Sequence, residues 1–269
     1  MTEFRIGVIG GCGVIGSAIL NRLVVSGAMR SSDLIASGTR PRSNESLGGI
    51  RYTMDNERLV AESRLVVLSI RPQDFRRVHL NIQGRTVISV MAGVTAEELR
   101  RVTNAGSVIR TLPNAAAAVG KSFTPYYIAG SLSREDREIA EQIYNSIGES
   151  AEVFTEDALD YLTGLTGSGL GFVALLADAM ITHARLRGFD RALATKAVRA
   201  VIDGSGTLIG MGPDTPREMT EQLKGYRGTT EAALTAMEGA GFVRAVGLGL
   251  DAAEGRARSM AATATPPSS

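Results

Sequence analysis

Short apolar runs alternate with helical patterns over the first part of the chain. The runs are rich in β-branched residues and several end at glycine or proline, which is typical of buried strands. They lie at residues 4–10, 33–37, 65–70, 86–90, 107–112 and 124–129. Strands that alternate with helices predict a parallel, doubly wound sheet.

Helical patterns dominate the remainder of the chain. Residues 133–148 have amphipathic spacing, with Ser133 at the start and Gly148 at the end. Residues 151–154 predict a last short strand, and no convincing strand pattern follows it. Further helices are predicted over 156–165, 168–188, 190–211, 216–223, 229–238 and 241–260.

The helix predicted over 168–188 is apolar on most of its faces. A helix without a polar face must be buried on all sides, and a small helical domain cannot bury several such helices by itself. We therefore expect at least a homodimer, formed through residues 156–260.

These patterns predict three parts. The first is an α/β domain over residues 1–155, and the second is an all-helical domain over 156–260 that carries dimerisation and substrate binding. Residues 261–269 are small, polar and rich in proline, so we expect a disordered tail.

A glycine-rich loop follows the first strand and precedes a helical pattern. Its sequence, Gly-Cys-Gly-Val-Ile-Gly over residues 11–16, is a G-x-G-x-x-G motif. Glycines permit the tight turn and the close approach of a pyrophosphate, and the helix N-terminus offers free N–H groups. This context indicates a Rossmann domain that binds a dinucleotide; the alternative is a glycine-rich turn without a ligand. The predicted contacts are Gly11, Gly13, Val14, Ile15 and Gly16.

The end of the second strand indicates which dinucleotide binds. A cofactor with a free 2′-hydroxyl usually meets an acidic residue there, but this chain has Ser37, Thr39, Arg40 and Arg42 and no acid. Two arginines and two hydroxyls suit a 2′-phosphate, which favours NADPH over NADH. The alternative is that both arginines are only solvated loop charges.

Composition excludes several classes of protein. The formal net charge of +1 makes general nucleic-acid binding or charge-driven membrane adsorption unexpected. Cys12 is the single cysteine, and His79 and His183 are the only histidines, so we expect no disulfide and no metal site. The N-terminus lacks a signal-peptide pattern and we expect a cytoplasmic protein. We interpret Cys12 as a small loop residue, His183 as structural and His79 as a surface residue.

The order of the motifs along the chain resembles one known family. After the glycine loop come VVLSIRPQDF (66–75), SVMAGV (89–94), RTLPNAA (110–116), LTGLTGSGLGF (162–172) and GYRGTTEAALTAME (225–238). In this order and spacing they are similar to the pyrroline-5-carboxylate reductase family over nearly the full length. The resemblance implies NAD(P)H-dependent reduction of a cyclic imine, the last step of proline biosynthesis, by intertwined dimers or a ring of dimers.

The resemblance also implies a set of site residues. The amides of Gly228 and Thr229 would hold the substrate carboxylate, and the Thr230 hydroxyl would meet the ring nitrogen. Asp178 stands where the family has glutamate, and Arg227, which departs from the family pattern, is expected near the carboxylate or a further acidic group. Substrate is thereby expected between the nicotinamide and residues 224–230. The residues that would line the dinucleotide cleft are Asn56, Ser69, Arg71, Pro72, Ala92 and Asn114.

Departures from the family pattern are concentrated at the expected substrate site. The family's Ser-Pro-Gly-Gly is Gly-Tyr-Arg-Gly at residues 225–228, its proline after Gly-Ser-Gly is Leu170, and its Thr-Pro is Ala-Ala at 115–116. Two alternatives therefore stay open. The chain is an imine reductase for a different cyclic imino acid in specialised metabolism, or it is a non-catalytic NADPH-binding protein.

The absence of a nearby lysine bears on the type of reaction. Hydroxyacid dehydrogenases of similar plan carry a lysine, as the acid for an alkoxide, on the helix after their glycine-rich segment. Here the first lysine after residues 167–169 is Lys196, which lies beyond that helix. A cyclic imine is basic enough to arrive protonated, so this pattern favours an imine over a ketone or alcohol.

Overall fold

An eight-stranded sheet organises the first part of the chain in the computed structural model, which describes residues 4–78 and 80–262. The strands are β1 (Phe4–Ile9), β2 (Leu34–Ser37), β3 (Arg51–Thr53), β4 (Ser63–Leu68), β5 (Thr86–Ser89), β6 (Ser107–Thr111), β7 (Ser122–Ala129) and β8 (Gly148–Glu152). Their order across the sheet is β3-β2-β1-β4-β5-β6-β7-β8. Chain order reverses beside β1, which is where ligands bind in doubly wound sheets.

Helices connect the strands and then form the rest of the described chain. They are α1 (Val14–Val25), α2 (Asn56–Glu62), α3 (Pro72–Phe75), α4 (Ala96–Thr103), α5 (Arg134–Ile147), α6 (Glu156–Leu162), α7 (Gly169–Leu186), α8 (Arg191–Met211), α9 (Pro216–Gly225), α10 (Thr229–Gly239) and α11 (Phe242–Ala262). A π-helical segment, Thr163–Ser168, lies between α6 and α7. Ser133 caps α5 as expected, since its side chain accepts from the amide of Asp136.

The last two strands run against the predicted direction. Strands β1 to β6 are parallel, which confirms the doubly wound prediction for that part, but β7 pairs antiparallel with β6. The physical reason is the connection, because β6 and β7 are joined by the 3₁₀ turn Ala115–Val119 instead of a crossover helix. Parallel neighbours need a long crossover. Helix α5 supplies one between β7 and β8, which are parallel to each other.

Helices cover both faces of the sheet. Apolar residues of α1 and α5, including Leu20 and Ile143, pack on one face in a cluster of fully buried side chains. Leu59 of α2 and Leu99 of α4 pack on the other face, together with Phe75. Each large apolar side chain buried in this way stabilises the fold by about 1.5–3 kcal/mol relative to exposure.

The structure adds elements that the sequence patterns did not predict. Strand β3 and helix α2 follow the loop after β2, in a stretch whose polar residues obscure any period. The short strand expected at 151–154 lies earlier, at Gly148–Glu152. Gly148, which ends α5 as predicted, adopts a φ of +146° and approaches Ser122 so closely that a Cβ would lie 2.1 Å from its carbonyl oxygen.

The described chain divides into two compact units. One includes the residues up to Gly167 and those from Ala253 onward, and the other is Ser168–Ala252. The domain boundary at 155/156 stays a prediction. Helix α11 continues through 261 and 262, which were assigned to the tail. The rest of that tail, residues 263–269, and His79 lie outside the described residues.

The helices of the second unit expose much apolar surface in a single chain. Helix α7 contains no fully buried residue, and Leu186 at its end is 81% exposed. Val243 of α11 and Leu175 of α7 are similarly exposed. By length and composition alone, the helical stretch over 156–186 also contains an 18-residue window that is apolar enough to span a membrane, with a mean hydropathy of 1.5.

A buried cation joins β6 to α6 within the first unit. Arg110 is 2% exposed, and its guanidinium pairs with Glu156 at 2.5 Å and with Asp160 at 3.4 Å. Glu156 also accepts from the amide of Ala96 at 3.0 Å, so the same carboxylate holds the start of α4. Burial raises the pKa of Asp160, and the positive charge of Arg110 opposes that effect. The cluster therefore depends on Arg110 for its charge balance.

We predict that Arg110→Leu lowers the melting temperature by roughly 6–20 °C. Removing one partner of a buried ion pair leaves uncompensated charge, which costs about 3–5 kcal/mol, and each kcal/mol shifts melting by roughly 2–4 °C in a chain of this size. Arg134→Leu is the matched control, because Arg134 is 94% exposed in its pair with Glu138. Thermal denaturation at one fixed protein concentration compares them. A shift below about 2 °C for Arg110→Leu would contradict the structural role.

Candidate functional site

At the carboxyl end of β1, the glycines of the loop let the backbone approach neighbouring atoms closely. Gly10 has a φ of +80°, and a Cβ on Gly16 would lie 2.6 Å from the Gly10 carbonyl oxygen. A Cβ on Gly11 would lie 2.8 Å from Cβ of Ala36. The amides of Gly10 and Gly11 donate to the Ser37 carbonyl at 3.1 and 3.0 Å, which ties the loop to the end of β2. Glycine is therefore required at these positions for steric reasons.

Helix α1 begins directly after the loop. Gly13 is its N-cap and contributes no side-chain hydrogen bond, and the first intrahelical bond runs from the Ser17 amide to the Gly13 carbonyl. The amides of Val14, Ile15 and Gly16 in the first turn have no partner within the helix. Together with the positive end of the helix dipole, they form a site for an anion.

A cleft of about 600 Å³ opens beside this loop. Several sequence-predicted residues line it together: Gly13, Ser37, Thr39, Asn56, Ser69 and Arg71. They come from the carboxyl ends of β1, β2 and β4 and from the start of α2, so the reversal in strand order places them side by side. The volume of the cleft and the exposed backbone of the glycine loop at its edge fit a bound dinucleotide.

Hydrogen bonds orient the polar groups in the cleft. The buried hydroxyl of Ser37 donates to Oδ1 of Asn56 at 2.6 Å, which fixes the amide of Asn56 at the end of β2. The amide of Ser69 donates to the Ile9 carbonyl at 2.8 Å, so the chain after β4 stays close to β1. Arg71 is exposed and pairs with Asp74 at 3.1 Å.

Apolar residues complete the cleft, and sequence reasoning missed them. Met54, Ile70 and Val78 line it, as do Gly10 and Gly38. Gly10, Gly38 and Ile70 are adjacent in the sequence to predicted residues. Apolar side chains such as Met54 and Val78, however, carry no sequence signal that distinguishes a ligand contact from core packing. Cys12 also lines the cleft, as a half-buried free thiol.

Arg40 and Arg42 lie on the exposed loop after β2. Neither pairs with a carboxylate in the part of the chain that the structure describes. Thr39, between them and the end of β2, reaches the cleft itself. Two unpaired guanidinium groups beside a dinucleotide-sized cleft fit a phosphate group.

The other predicted cofactor residues lie further along the same edge of the sheet. Pro72 is the first residue of α3, and Ala92 lies in the turn after β5. Asn114 follows β6, where its side chain accepts from the Ala116 amide at 2.9 Å and donates to the Thr166 carbonyl at 3.0 Å. These two bonds give the Asn114 amide a structural role, so its cofactor contact stays a prediction.

The predicted substrate loop joins α9 to α10 in the second unit. Lys224 and Glu238 form an ion pair at 2.8 Å across the two helices. Arg227 between them has a φ of +52°, a left-handed conformation that non-glycine residues rarely adopt. Its amide donates to the Lys224 carbonyl at 3.0 Å. The ion pair between Lys224 and Glu238 therefore holds the strained turn ahead of α10.

Helix α10 begins at the residues that the resemblance singled out. Gly228 is its N-cap without a side-chain hydrogen bond, and Thr229 and Thr230 form the first turn. All three are exposed, and helix geometry leaves the first amides without a partner in the helix. Asp178 and His183 are exposed on α7. The described residues contain no group of three metal-ligating side chains.

Comparison with known proteins gives the same two-part pattern. Residues 156–260 match the family described as pyrroline-5-carboxylate reductase dimerisation, and residues 5–93 match the family described as NADP oxidoreductase, coenzyme F420-dependent.

Relatives match along nearly the whole chain. Pyrroline-5-carboxylate reductase of Methanosarcina acetivorans is 30% identical over 252 residues, which cover 90% of this chain and 92% of that protein. The solved structure of 1-pyrroline-5-carboxylate reductase from Streptococcus pyogenes is 26% identical, with a TM-score of 0.82 over 95% of this chain and 98% of that one.

A third relative was solved with a nucleotide. The structure of Plasmodium falciparum pyrroline carboxylate reductase with NADP bound has a TM-score of 0.84 at 22% identity, over 97% of this chain and 100% of that one. The TM-scores show that this chain shares its fold with both solved structures. The chain therefore belongs to the pyrroline-5-carboxylate reductase family and is an NAD(P)H-dependent oxidoreductase that acts on C=N bonds.

Proposed function

We propose that this protein reduces pyrroline-5-carboxylate to proline with NADPH, in the cytoplasm. The observation that carries the proposal is membership of the family, in a chain whose glycine loop, cleft and α10 N-terminus are all open to ligands. The fold alone would not suffice, because similar folds serve many functions.

The chain's own residues would hold the cofactor as follows. First-turn amides of α1 would bind the pyrophosphate, and Thr39, Arg40 and Arg42 would bind the 2′-phosphate. The Ser37 hydroxyl, which the sequence predicts at that phosphate, is fully buried and donates to Asn56, so Ser37 would instead hold Asn56 toward the ribose. When bound, the nicotinamide ring supplies the hydride that reduces the C=N bond. Pro72, Ala92 and Asn114 are proposed to line the same edge, as the resemblance implies.

The start of α10 would hold the substrate. The amides of Gly228 and Thr229 would donate to its carboxylate, where the helix dipole stabilises negative charge. The Thr230 hydroxyl would meet the ring nitrogen, accepting from the N–H of the protonated imine and donating to the nitrogen of the amine product. Asp178 is kept as a proposed substrate contact by its match to a family glutamate. These residues position and polarise the substrate, and because the imine arrives protonated no strong general acid is needed.

Residues 156–260 are proposed to form the dimerisation and substrate domain. The apolar surface of α7 and α11 is what a partner copy would cover, and the family match over the same residues is described as a dimerisation region. The assembly is therefore a homodimer or a ring of dimers.

A second candidate substrate class is favoured by one observation. Arg227 occupies a left-handed position where the family has glycine, and arginine there costs about 1 kcal/mol more than glycine. A side chain kept despite that cost suits a substrate with a further acidic group, so a different cyclic imino acid is the alternative. Membership of a family of NAD(P)H-dependent reductases opposes the remaining alternative, a non-catalytic NADPH-binding protein.

Cofactor preference tests the 2′-phosphate site. We predict that the double variant Arg40→Ala/Arg42→Ala raises the NADPH dissociation constant by at least roughly 10- to 100-fold, the effect of losing even one charged hydrogen bond of about 1.5–3 kcal/mol. The NADH constant should change less than about twofold. Fluorescence titration measures both, and Arg30→Ala, an exposed arginine before β2, is the control. Equal losses for both cofactors would show that these arginines do not bind the 2′-phosphate.

Turnover tests the proposed role of the Thr230 hydroxyl. Thr230→Val keeps the shape of the side chain and should lower kcat/KM for pyrroline-5-carboxylate by roughly 10- to 100-fold, the effect of one hydrogen bond to a reacting group. NADPH binding should not change. Thr235→Val, in the same helix, is the matched control. Unchanged turnover in Thr230→Val would refute the proposed substrate site and leave the cofactor assignment intact.

Arg227→Ala separates the two substrate classes within the same assay. If backbone amides alone hold pyrroline-5-carboxylate, its KM should stay within about twofold of wild type. A strong rise in KM, on whichever member of a panel of cyclic imino acids of different ring size is turned over best, would favour the alternative substrate. NADPH oxidation across that panel gives both results.

Light scattering tests the assembly. At micromolar concentration we predict a mass of at least twice the 28.3 kDa chain, because obligate apolar interfaces persist at such dilution. A monodisperse species at the monomer mass would refute the proposed dimer.

A further inference from the structure

We propose that Tyr52 is a positioning residue that holds the loop after β2 so that Arg40 and Arg42 face the 2′-phosphate, and that it thereby sets the preference for NADPH over NADH. The inference rests on the proposed cofactor site, and it concerns a residue outside the cleft lining.

Tyr52 contacts the loop at two points, one on each side of Arg42. Its hydroxyl donates to the carbonyl of Arg40, and its amide donates to Oδ1 of Asn44 at 2.9 Å. One residue of β3 therefore holds the loop on both sides of Arg42, through the backbone of Arg40 and through the side chain of Asn44. Without these bonds the exposed loop would have to be ordered by the cofactor itself, at a cost in conformational entropy.

The sheet determines where Tyr52 sits. Strand β3 pairs in parallel with β2, and Tyr52 is opposite Ala36 in the register. The phenol packs, half-buried, against the apolar cluster under α1. Its ring is thus anchored in the core, while its hydroxyl reaches outward to the loop.

Gly38 leaves room for this contact. A Cβ on Gly38 would lie 3.1 Å from the Tyr52 hydroxyl and 3.5 Å from Sγ of Cys12. Gly38 itself lines the cleft, so the phenol lies next to backbone that the cofactor would contact. The hydroxyl and the cleft are therefore separated by one glycine residue.

The phenol is a donor at neutral pH. Burial raises the pKa of Tyr52, Cys12 adds to this, and the positive charge of Arg42 opposes it. The protonated hydroxyl can serve the Arg40 carbonyl, an acceptor only.

The test measures NADPH and NADH dissociation constants on the full chain by fluorescence titration. We expect Tyr52→Phe to raise the NADPH constant about 3- to 10-fold, the effect of one net hydrogen bond, and to leave the NADH constant within about twofold. Asn44→Ala removes the second contact and should shift the NADPH constant in the same direction, by about 2- to 5-fold. Tyr127→Phe, a half-buried tyrosine on β7, is the control and should shift neither.

A double-mutant cycle distinguishes positioning from general stabilisation. If Tyr52 acts through the two arginines, Tyr52→Phe should have no further effect on NADPH binding in the Arg40→Ala/Arg42→Ala background. Additive effects there, or equal changes for both cofactors, would overturn the positioning role. So would an unchanged NADPH constant in Tyr52→Phe.

Failure of the underlying proposal gives a different result. If Arg40→Ala/Arg42→Ala affects NADPH and NADH equally, the 2′-phosphate site is refuted, and the role of Tyr52 with it. If that double variant is selective and Tyr52→Phe is not, the 2′-phosphate site stands and only the role of Tyr52 is refuted.

Discussion

The close packing of the glycine loop against the ends of β1 and β2 is the constraint on which the cofactor half of the molecule depends. Gly10, Gly11 and Gly16 approach neighbouring atoms so closely that no Cβ fits, and the loop is tied to the carbonyl of Ser37. This contact aims the first turn of α1 at the cleft and brings the end of β2 beside it. A side chain at any of these positions would both displace the loop and fill the space that a pyrophosphate needs.

The turn at which substrate is proposed to bind is held by an ion pair between two helices, instead of by close packing of the backbone. An ion pair between Lys224 and Glu238 joins α9 to α10, and the turn that it spans places Arg227 in a left-handed conformation. Strain of this kind persists only where the surroundings enforce it, and it often accompanies function. The cofactor cleft retains the family pattern, whereas the turn ahead of α10 departs from it. The turn ahead of α10 is thus the place where the two proposed substrate classes would be distinguished.

The chain has a charged cluster in its interior and apolar side chains on the surface of its later helices. Arg110 is buried at the end of β6 and balances two carboxylates of α6, so a charged cluster helps to connect the sheet to the first of the later helices. Beyond it, α7 and α11 expose large apolar side chains such as Leu186 and Val243. Exposed apolar surface of this extent marks an interaction site in soluble proteins.

The sequence by itself determined the local features of this protein. The strands β1, β2 and β4 to β7, the capped helix α5, the glycine loop, the missing acid after β2 and the order of the family motifs could all be identified, because turns, caps and periods depend on neighbouring residues. The resemblance then indicated most of the candidate site. Only the tertiary structure decided the reversed direction of β7, the strand β3, the apolar lining of the cleft and the contacts of Tyr52 and Arg110. Those features depend on which distant segments meet, and residues such as Tyr52 and Arg40, twelve positions apart, carry no local signal of their hydrogen bond.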